Sequence, residues 1–447
     1  MPIIKFFKKL LKTSSPTSSS TPVEFTIPRN QHHVSKSEIN INALQVINKL
    51  NHHGYETYLV GGSVRDLLLR KVPKDFDVST SATPQQIKKL FRNARIIGRR
   101  FKLVHITFGR EIIEVSTFRS NQPDEQVQTN EKGMVIRDNV YGNLEQDSWR
   151  RDFTINSLYY NINDGSIVDY TGGFKDVKAK RIHMIGQADT RYQEDPVRML
   201  RAIRFAAKLH FVIAEDTAEP MFRLGHLIQH VSNARLFDEV AKLWQCYESK
   251  RVFELLQHYE LFKYLFPLTV TSLKVNPHAQ EFIENAFENT DARMREQKPT
   301  TPAFLFAVLL WYPMRDYAQE LIEKEQLHPL VAIEQAMNKV LNEQSRIISI
   351  PRRFTQIIRE IWLLQYRFSK RIGQKPFILM SHARFRAAYD FLLLRAIAQD
   401  EKIELAQWWT QFQESSETEQ LEMIEALETD KRPKTRRKRS KKAPKND

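Results

Sequence analysis

Two aspartates, Asp75 and Asp77, stand two residues apart in the segment Lys74–Val78. On a β-strand, side chains two residues apart project from the same face, so this segment predicts two carboxylates side by side. Carboxylates this close repel one another unless a cation lies between them, and Mg²⁺ prefers oxygen ligands. The spacing therefore predicts a magnesium site. A pair of surface aspartates in a turn is the alternative reading.

The neighbouring sequence favours chemistry on a nucleotide triphosphate. Gly61 and Gly62 precede a predicted helix that includes Arg65, and the backbone N–H groups at a helix start bind phosphate. Glu114, on what we expect to be a neighbouring strand, adds a third carboxylate. With two metal ions, one activates an attacking hydroxyl and the other neutralises the departing pyrophosphate. Phosphoryl transfer of this kind depends on positioning and charge stabilisation.

Hydrophobic periodicity predicts a mixed αβ region that positions these residues, followed by a helical one. Ser35 and Glu38 have the spacing of a capping box before the first helix. The αβ region has predicted helices at 41–50 and 64–70 and predicted strands at 58–60, 74–79, 102–108, 111–117 and 166–170. Beyond Pro196, helices are predicted at 197–209, 236–256, 302–310, 354–366 and 385–396.

The composition excludes several classes of protein. The 447 residues are 41% hydrophobic, enough for a sizeable core, which excludes wholesale disorder. No apolar run approaches the roughly 18 residues of a membrane-spanning helix, so an integral membrane protein is excluded. The single cysteine, Cys246, cannot form an internal disulfide, so we expect a reducing, cytoplasmic compartment. We interpret Cys246 as a small buried residue on a helix rather than a nucleophile.

The net charge of +15 is concentrated at the C-terminus, where residues 431–447 hold ten Lys and Arg against one Asp. This predicts a flexible tail that binds RNA phosphates or another anionic surface. A solvated tail that aids solubility, or a localisation signal, is the alternative. Residues 1–12 interleave apolar residues with lysines, and this pattern excludes a signal peptide. We expect either weak contact of this segment with a membrane surface or a frayed chain end. Residues 13–22 read as a disordered linker.

Six motifs between Tyr58 and Leu209 resemble, in order and spacing, those of the nucleotidyltransferase family of tRNA CCA-adding enzymes and bacterial poly(A) polymerases. They are YLVGGSVRDLLL, KDFD, EVSTFR, RRDFTINSL, YTGGFKDV and EDPVRMLRAIRFAA. The family belongs to the polymerase β superfamily. The resemblance therefore implies an α+β fold, with a small mixed-sheet nucleotidyltransferase head followed by an all-helical neck, body and tail.

The resemblance also implies a division of the chain into five parts. A flexible basic and Ser/Thr-rich N-terminus at 1–34 precedes the head at 35–180. A helical neck at 181–270 reads the nucleobase and contacts RNA, and a helical body follows at 271–400. The last part, 401–447, is an acidic helical segment and then a disordered basic RNA-binding tail.

The family's functional residues carry over by position. Asp75, Asp77 and Glu114 match the metal-binding carboxylates, and Asp75 and Asp77 are the implied catalytic pair. Nucleotide binding is implied for the residues Gly61, Gly62, Arg65 and Arg151. Asp152 matches a position near the ribose and the catalytic centre. For Asp152 we favour a catalytic role, and a cap on the following helix is the alternative.

A base-reading motif of the family matches four residues at the start of the predicted neck, namely Asp195, Arg198, Arg201 and Arg204. Pro196 suits the first turn of a helix. Arginine offers planar forked donors and aspartate offers acceptors, so together they can address a base edge without a template strand. A structural ion-pair network between neck and head is the alternative.

Narrower features favour the bacterial poly(A) polymerase branch. The block 97–106, which includes Arg99, Arg100 and His105, resembles one typical of those enzymes, as do the segments 235–243 and 385–396. We interpret His105 itself as a structural histidine whose ring has a partner. The branch implies addition of AMP from ATP to single-stranded RNA 3′ ends, with two Mg²⁺ ions, or Mn²⁺ in their place.

The branch further implies that polyadenylation marks RNA for decay, with decay nucleases and RNA chaperones as partners. Two other functions compete with this interpretation. A CCA-adding enzyme that acts only on tRNA shares the general motifs. A non-catalytic RNA-binding protein on the same fold is the second alternative, and the complete set of carboxylates argues against it.

Overall fold

The computed structural model describes residues 25–98, 102–120, 128–129, 135–137 and 140–431. The basic segment 1–12, the linker 13–22, Arg99, Arg100 and the tail from residue 432 onward lie outside the described residues. The described chain forms two compact units, the first ending at Ala179 and the second starting at Lys180.

The first unit is built on an eight-stranded mixed sheet with the order β1-β10-β9-β2-β3-β6-β5-β4. Strands β3 and β6 pair in parallel and the other neighbours are antiparallel. The sheet strands are β1 Thr26–Ile27, β2 Thr57–Val60, β3 Asp77–Thr80, β4 Ala94–Ile97, β5 Leu103–Phe108, β6 Glu111–Thr117, β9 Tyr159–Tyr160 and β10 Ile167–Val168. A separate antiparallel pair consists of β7 Gln128–Thr129 and β8 Val135–Arg137.

The described residues of this unit also form five α-helices: α1 Ile41–His52, α2 Gly62–Leu68, α3 Pro84–Leu90, α4 Leu144–Arg150 and α5 Gly173–Lys178. Short 3₁₀ helices cover Arg29–Gln31, Lys36–Glu38 and Thr154–Asn156. Ile41, the first residue of helix α1, is exposed, and the helix packs on β2, β3 and β6 through one buried stripe at helical spacing. Its members are Ala43, Val46, Ile47 and Leu50.

Two local predictions for this unit need correction. The capping box of Ser35 and Glu38 exists, but it caps the 3₁₀ helix, and the side chain of Asn40 caps α1. Strand β3 begins at Asp77 rather than at residue 74, because its pairing with β2 starts at Asp77, opposite Val60. Asp75 therefore precedes the strand.

Over residues 180–431, the second unit is helical except for one short parallel pair, β11 Arg181–Ile182 with β12 Val212–Ile213. Its first helices are α6 Ala188–Glu194, α7 Val197–Leu209, α8 Glu215–Leu224, α9 Asn233–Leu243, α10 Ser249–His258, α11 Phe262–Leu265, α12 Pro267–Val275 and α13 Ala279–Arg295. The remaining helices are α14 Pro302–Leu309, α15 Trp311–Glu325, α16 Pro329–Ser345, α17 Arg352–Phe368, α18 Lys375–Met380, α19 Phe385–Ile397, α20 Ile403–Glu414 and α21 Glu417–Lys431. A 3₁₀ helix covers Gly225–His230. Apart from the strand pair, this confirms the predicted α+β fold.

The single helix predicted at 236–256 is wrong, because the chain breaks there into α9 and α10. The buried carboxylate of Asp291, on α13, accepts hydrogen bonds from the backbone N–H of Ser249 (2.7 Å) and from its hydroxyl (2.8 Å). These bonds satisfy the start of α10 from a distant helix. Cys246 is buried, as predicted, but it lies in this break and not on a helix.

Cys246 is also a poor nucleophile in this position. Burial raises the pKa of its thiol to about 11, so the thiolate is scarce at neutral pH. No helix within the described ranges combines the length and the apolar character that crossing a membrane requires.

Candidate active site

One row of residues crosses the sheet and carries the predicted carboxylates. Val60 on β2 pairs with Asp77 on β3, and Val78 pairs with Val115 on the parallel strand β6. Continuing that register by one residue places Glu114 beside Asp77. Because paired residues project from the same face, Asp77 and Glu114 share one face of the sheet while Val78 and Val115 are buried on the other.

The electrostatics of Asp77 reflect this placement. Burial and the charge of Glu114 raise the pKa of the Asp77 carboxyl, Arg151 opposes the rise, and Asp75 adds to it, for a net value of about 6. Repulsion between neighbouring carboxylates favours the protonated form, and a bound cation would relieve it. The donor chemistry therefore fits a divalent metal ion held by oxygen ligands.

Asp75 reaches the same neighbourhood from outside the strand. It is exposed and lies two residues before β3, yet its charge acts on Asp77. Across the part of the chain that the structure describes, no three His, Cys, Asp or Glu side chains are grouped closely enough to hold a metal ion. The assignment of Asp75, Asp77 and Glu114 as metal ligands thus stays a prediction.

His105 is the cross-strand partner of Glu114. The two residues are paired between β5 and β6, and Nε2 of the ring lies 3.0 Å from Oε1 of the carboxylate. The histidine is therefore satisfied, in agreement with its structural interpretation, but its partner is one of the predicted metal ligands. This contact holds the carboxylate oxygen Oε1 of Glu114 beside the His105 ring.

The Gly61–Gly62 turn joins β2 to α2 beside this row. Gly61 has a φ of +73°, which residues with a side chain rarely adopt. A Cβ at Gly61 would lie 3.4 Å from Nη1 of Arg151 and 3.5 Å from the carbonyl oxygen of Asn156. The positive φ therefore favours glycine at this position, and the turn lies in contact range of Arg151, next to the carboxylate row.

Arg151 is held by a buried hydrogen-bond network. Its Nη2 donates to Oδ2 of Asp147 (3.0 Å) and its Nε donates to the Tyr159 hydroxyl (2.8 Å). The Tyr159 hydroxyl in turn donates to Oδ2 of Asp147 (2.7 Å). Burial lowers the pKa of the Arg151 guanidinium, but Tyr159 and Asp147 outweigh it and the net pKa is raised. Arg151 is a fixed cation close to Asp77.

Arg65 occupies a different position from the one expected of a simple phosphate contact. Its side chain is only 4% exposed, and its guanidinium donates to Oδ1 of Asn156 (2.5 Å) and to Oδ1 of Asp66 (2.7 Å from Nη2). Arg65 is thus a buried and paired residue of α2. The predicted contact of Arg65 with a nucleotide stays a prediction.

Asp152 stands two residues before the 3₁₀ helix that follows it. The 3₁₀ helix Thr154–Asn156 has Phe153 as its N-cap residue, without a side-chain hydrogen bond. The Asp152 carboxylate instead accepts from the backbone N–H of Phe153 (2.8 Å) and from Nδ2 of Asn156 (3.2 Å). Asp152 thus bonds to both ends of the segment Phe153–Asn156, and its catalytic role stays a prediction.

Three residues that position this site are not among those predicted from the sequence, namely Asp147, Asn156 and Tyr159. The signal for Asp147 was available, because an acid four residues before Arg151 on a helix faces it. Asn156 bridges Arg65 and Asp152, a role that needs the turn geometry and that no spacing rule predicts. Tyr159 belongs to the same cross-sheet row, since it pairs with Val60.

The predicted base-reading residues lie in the second unit, at the junction of α6 and α7. Nη2 of Arg235 donates to Oδ2 of Asp195 (2.7 Å), and Nη1 of Arg198 donates to Oε2 of Glu194 (2.8 Å). The guanidinium groups of Arg201 and Arg204 lie over the ring of Phe205, 5.6 and 5.1 Å from its centroid. The ion pairs of Asp195 and Arg198 are thus made within the second unit, and the base-reading role stays a prediction.

Three family models match the chain. The one described as "Poly A polymerase head domain" matches residues 57–183. "Probable RNA and SrmB- binding site of polymerase A" matches residues 210–272, and "Polymerase A arginine-rich C-terminus" matches residues 325–443.

Whole proteins give the same result. Poly(A) polymerase I of Salmonella typhimurium is 46% identical over 429 residues, which cover 93% of this chain and 92% of that protein. The CCA-adding enzyme of Bacillus pumilus is 36% identical over 223 residues, which cover 50% of this chain and 54% of that enzyme. The similarity to the CCA-adding enzyme is thus confined to about half of the chain.

Among solved structures, the CCA-adding enzyme of Bacillus stearothermophilus in complex with CTP is similar with a TM-score of 0.54. The match covers 87% of this chain and 80% of the other, at 24% sequence identity. At this identity the match shows a shared fold.

Proposed function

The chain belongs to the bacterial poly(A) polymerases of the nucleotidyltransferase family, and from this premise we propose that it adds AMP from ATP to RNA 3′ ends without a template, releasing pyrophosphate. The observation that carries the proposal is the cross-sheet row in which Asp77 and Glu114 lie side by side, with Asp75 and Arg151 close enough to act on the Asp77 carboxyl. A surface that only binds RNA has no need of converging carboxylates.

The carboxylates Asp75, Asp77 and Glu114 would hold two divalent cations, Mg²⁺ or Mn²⁺. When bound, such ions lower the pKa of the attacking 3′ hydroxyl and neutralise charge on the departing pyrophosphate. The protein's own contribution would be to hold the carboxylates of Asp77 and Glu114 on one face of the sheet, against their mutual repulsion.

The nucleotide would lie against the turn that connects β2 to α2. Gly61 and Gly62 let a triphosphate approach the backbone, and Arg151 supplies a fixed positive charge there. Asp147 and Tyr159 orient Arg151, while Asn156 connects Arg65 to Asp152. In the second unit, Asp195, Arg198, Arg201 and Arg204 would read the base.

RNA binding would rest mainly on the phosphate backbone, with the helical body and the basic tail as its binding surface. The ten Lys and Arg of residues 431–447 make this contact strongly salt-dependent. We further propose that polyadenylation by this chain marks RNA for decay, with decay nucleases and RNA chaperones as partners.

Nucleotide-specific extension tests the activity. Purified protein, oligo(A) and each labelled nucleotide in turn should give long ladders with ATP alone. C-C-A addition to truncated tRNA would instead identify a CCA-adding enzyme, and no incorporation with Mg²⁺ or Mn²⁺ would support a non-catalytic RNA-binding protein.

Substitution of the carboxylates tests the catalytic assignment. Asp75→Ala and Asp77→Ala should abolish incorporation while RNA binding stays near the wild-type level. Polymerisation by both variants would defeat the assignment. Glu111→Ala on the same strand as Glu114 is a matched control, since Glu111 bonds to the side chains of Asn40 and Asn42.

A further inference from the structure

One edge of the first unit, formed by α3, β4 and the turn between them, carries positive charge without an acid. Residues 81–98 contain four basic residues and no Asp or Glu. The four residues, which we call the β4 edge patch, are Lys88, Lys89, Arg92 and Arg95. All four are exposed, and β4 is the last strand of the sheet. Four positive charges within eight residues attract a polyanion.

The fold does not neutralise the β4 edge patch. Across the part of the chain that the structure describes, none of its four side chains forms an ion pair or a hydrogen bond. Lys49, beside the patch, shows the contrast, because its Nζ donates to the carbonyl oxygen of Leu90 (2.8 Å) and lies 4.7 Å from the centroid of the Phe91 ring. The charges of the patch therefore face solvent, where a partner can bind them.

The patch continues onto the sheet face that carries the carboxylates. Arg95 on β4 pairs with His105 on β5, and His105 pairs with Glu114 on β6. Because paired residues project from the same face, Arg95 extends the row of Asp77 and Glu114 to the edge of the sheet. Neighbouring strands lie about 4.8 Å apart, so three strand steps place Arg95 roughly 14 Å from Asp77.

The sheet face between Arg95 and the carboxylates is exposed in the described ranges. Thr107 pairs with Ile112 beside this row, and both residues are exposed, Ile112 by 47%. Val104 and Ile106, which alternate with Thr107 along β5, are buried on the opposite face. A single strand that runs from the patch to Asp77 therefore has an accessible surface to lie on.

We propose that the β4 edge patch is a binding site for the RNA backbone, which holds the strand upstream of its 3′ end as it crosses the sheet toward Asp77. This inference rests on the proposed function for the identity of the polyanion. It adds a contact on the head to those of the helical body and the basic tail. Because the lysines and arginines bind phosphates, the contact does not depend on the RNA sequence.

The surface of the patch favours RNA over an anionic membrane. No large hydrophobic side chain of residues 81–98 is exposed, whereas segments that bind a membrane surface insert such side chains between the lipids. The row that connects Arg95 to Asp77 also gives the patch a direct relation to the reacting RNA end, which a membrane contact would not require.

The salt dependence of RNA binding tests the proposal without the reaction. Full-length protein is titrated into labelled oligo(A) in EDTA without ATP, at several salt concentrations. Each phosphate contact with a single strand contributes about 0.7 to the slope of log K against log salt. The combined variant Lys88→Gln, Lys89→Gln, Arg92→Gln and Arg95→Gln should therefore lower this slope by about 2–3 and weaken binding at least roughly 10-fold at low salt. In steady-state extension, KM for oligo(A) should rise while kcat stays near the wild-type value.

A matched pair of double variants separates the patch from a general effect of charge. Arg92→Gln with Arg95→Gln should lower the slope by about 1.4, from two lost contacts. Lys175→Gln with Lys178→Gln removes the same charge from exposed positions on α5 and should leave the slope unchanged. An equal fall of the slope in both double variants would overturn the proposal.

Other outcomes also decide the point. If the four-residue variant keeps the wild-type slope, the proposal is wrong and the charges only protect an edge strand from pairing with another chain. Unchanged RNA binding together with lost retention on phosphatidylglycerol vesicles would overturn it in favour of a membrane surface. Because binding is measured without ATP, a wild-type protein that shows the expected slopes but adds no nucleotide would contradict the proposed activity and leave the RNA site in place.

Discussion

Glu114 lies beside Asp77 on the neighbouring parallel strand, and burial together with the negative charge of Glu114 raises the pKa of the Asp77 carboxyl to about 6. The sheet thus holds an aspartate whose charged form is disfavoured by burial and by a neighbouring carboxylate. Such an arrangement weakens the metal-free fold and suits a site that is completed by cations.

The first prediction concerns the stability of metal-free protein. The pKa of Asp77 is about 6 in the folded state against 3.8 for the ordinary group, so the folded state binds more protons between these values. The free energy of unfolding should therefore fall as pH rises from about 4 to 6. Asp77→Asn removes this loss and should stabilise the protein at pH 7.5 by about 1–3 kcal/mol, reduced by solvent screening.

Urea unfolding in EDTA at pH 4, 6 and 7.5 checks this prediction. Wild type and Asp77→Asn should converge at pH 4 and separate as pH rises. Asp238→Asn, at an exposed position on α9, is the control and should follow the wild type at every pH. An Asp77→Asn variant that is less stable than wild type at pH 7.5 would contradict the account of Asp77.

The second prediction concerns the network around Arg151. Asp147 is 7% exposed on its side chain and accepts from both Arg151 and Tyr159, so Asp147→Asn should loosen the arginine. We expect kcat/KM for ATP to fall roughly 10- to 100-fold, which corresponds to one charge-assisted hydrogen bond. Tyr159→Phe leaves the Asp147–Arg151 ion pair in place and should cost only about 5-fold.

Steady-state incorporation into oligo(A) measures both effects, with thermal unfolding in parallel. Glu145→Gln, exposed on the same helix α4, is the control. If Asp147→Asn lowers the melting temperature but keeps wild-type kinetics, Asp147 supports the fold and does not position Arg151 for ATP.

Much of the head could be predicted from local sequence. Strand β6 has the predicted bounds Glu111–Thr117, and the turn at Gly109-Arg110 connects it to β5. Both follow from period-two alternation and from a glycine with positive φ, which are local properties. The sequence predicts only that the strands of Asp77 and Glu114 are neighbours. The pairing of the two residues depends on the register of these strands, which is set by the whole sheet.

Other features of the fold and the site depend on contacts between residues that are far apart in the sequence. Asp291, 42 residues beyond Ser249, accepts the hydrogen bond of the Ser249 backbone N–H at the start of α10. The partner of Asp195 is Arg235, 40 residues away, and no periodicity connects them. Only Asp147 was within reach of a spacing rule, since it stands one helical turn before Arg151.

The last prediction uses two adjacent glycines at the start of α5. A Cβ at Gly173 would lie 2.1 Å from the carbonyl oxygen of Thr154, whereas a Cβ at Gly172 would meet nothing within 4 Å. Gly173→Ala should therefore push α5 away from the 3₁₀ helix that carries Asn156. Since Asn156 bonds to Arg65 and Asp152, both stability and activity should fall.

We expect Gly173→Ala to lower the free energy of unfolding by about 1–3 kcal/mol, the usual cost of overpacking. Gly172 has a φ of +83°, and Asn tolerates this left-handed region, so Gly172→Asn is the matched control with a cost below about 1 kcal/mol. Urea unfolding and ATP incorporation by the two variants decide the point. Equal stability and activity of the two would show that the contact between α5 and Thr154 does not position the site.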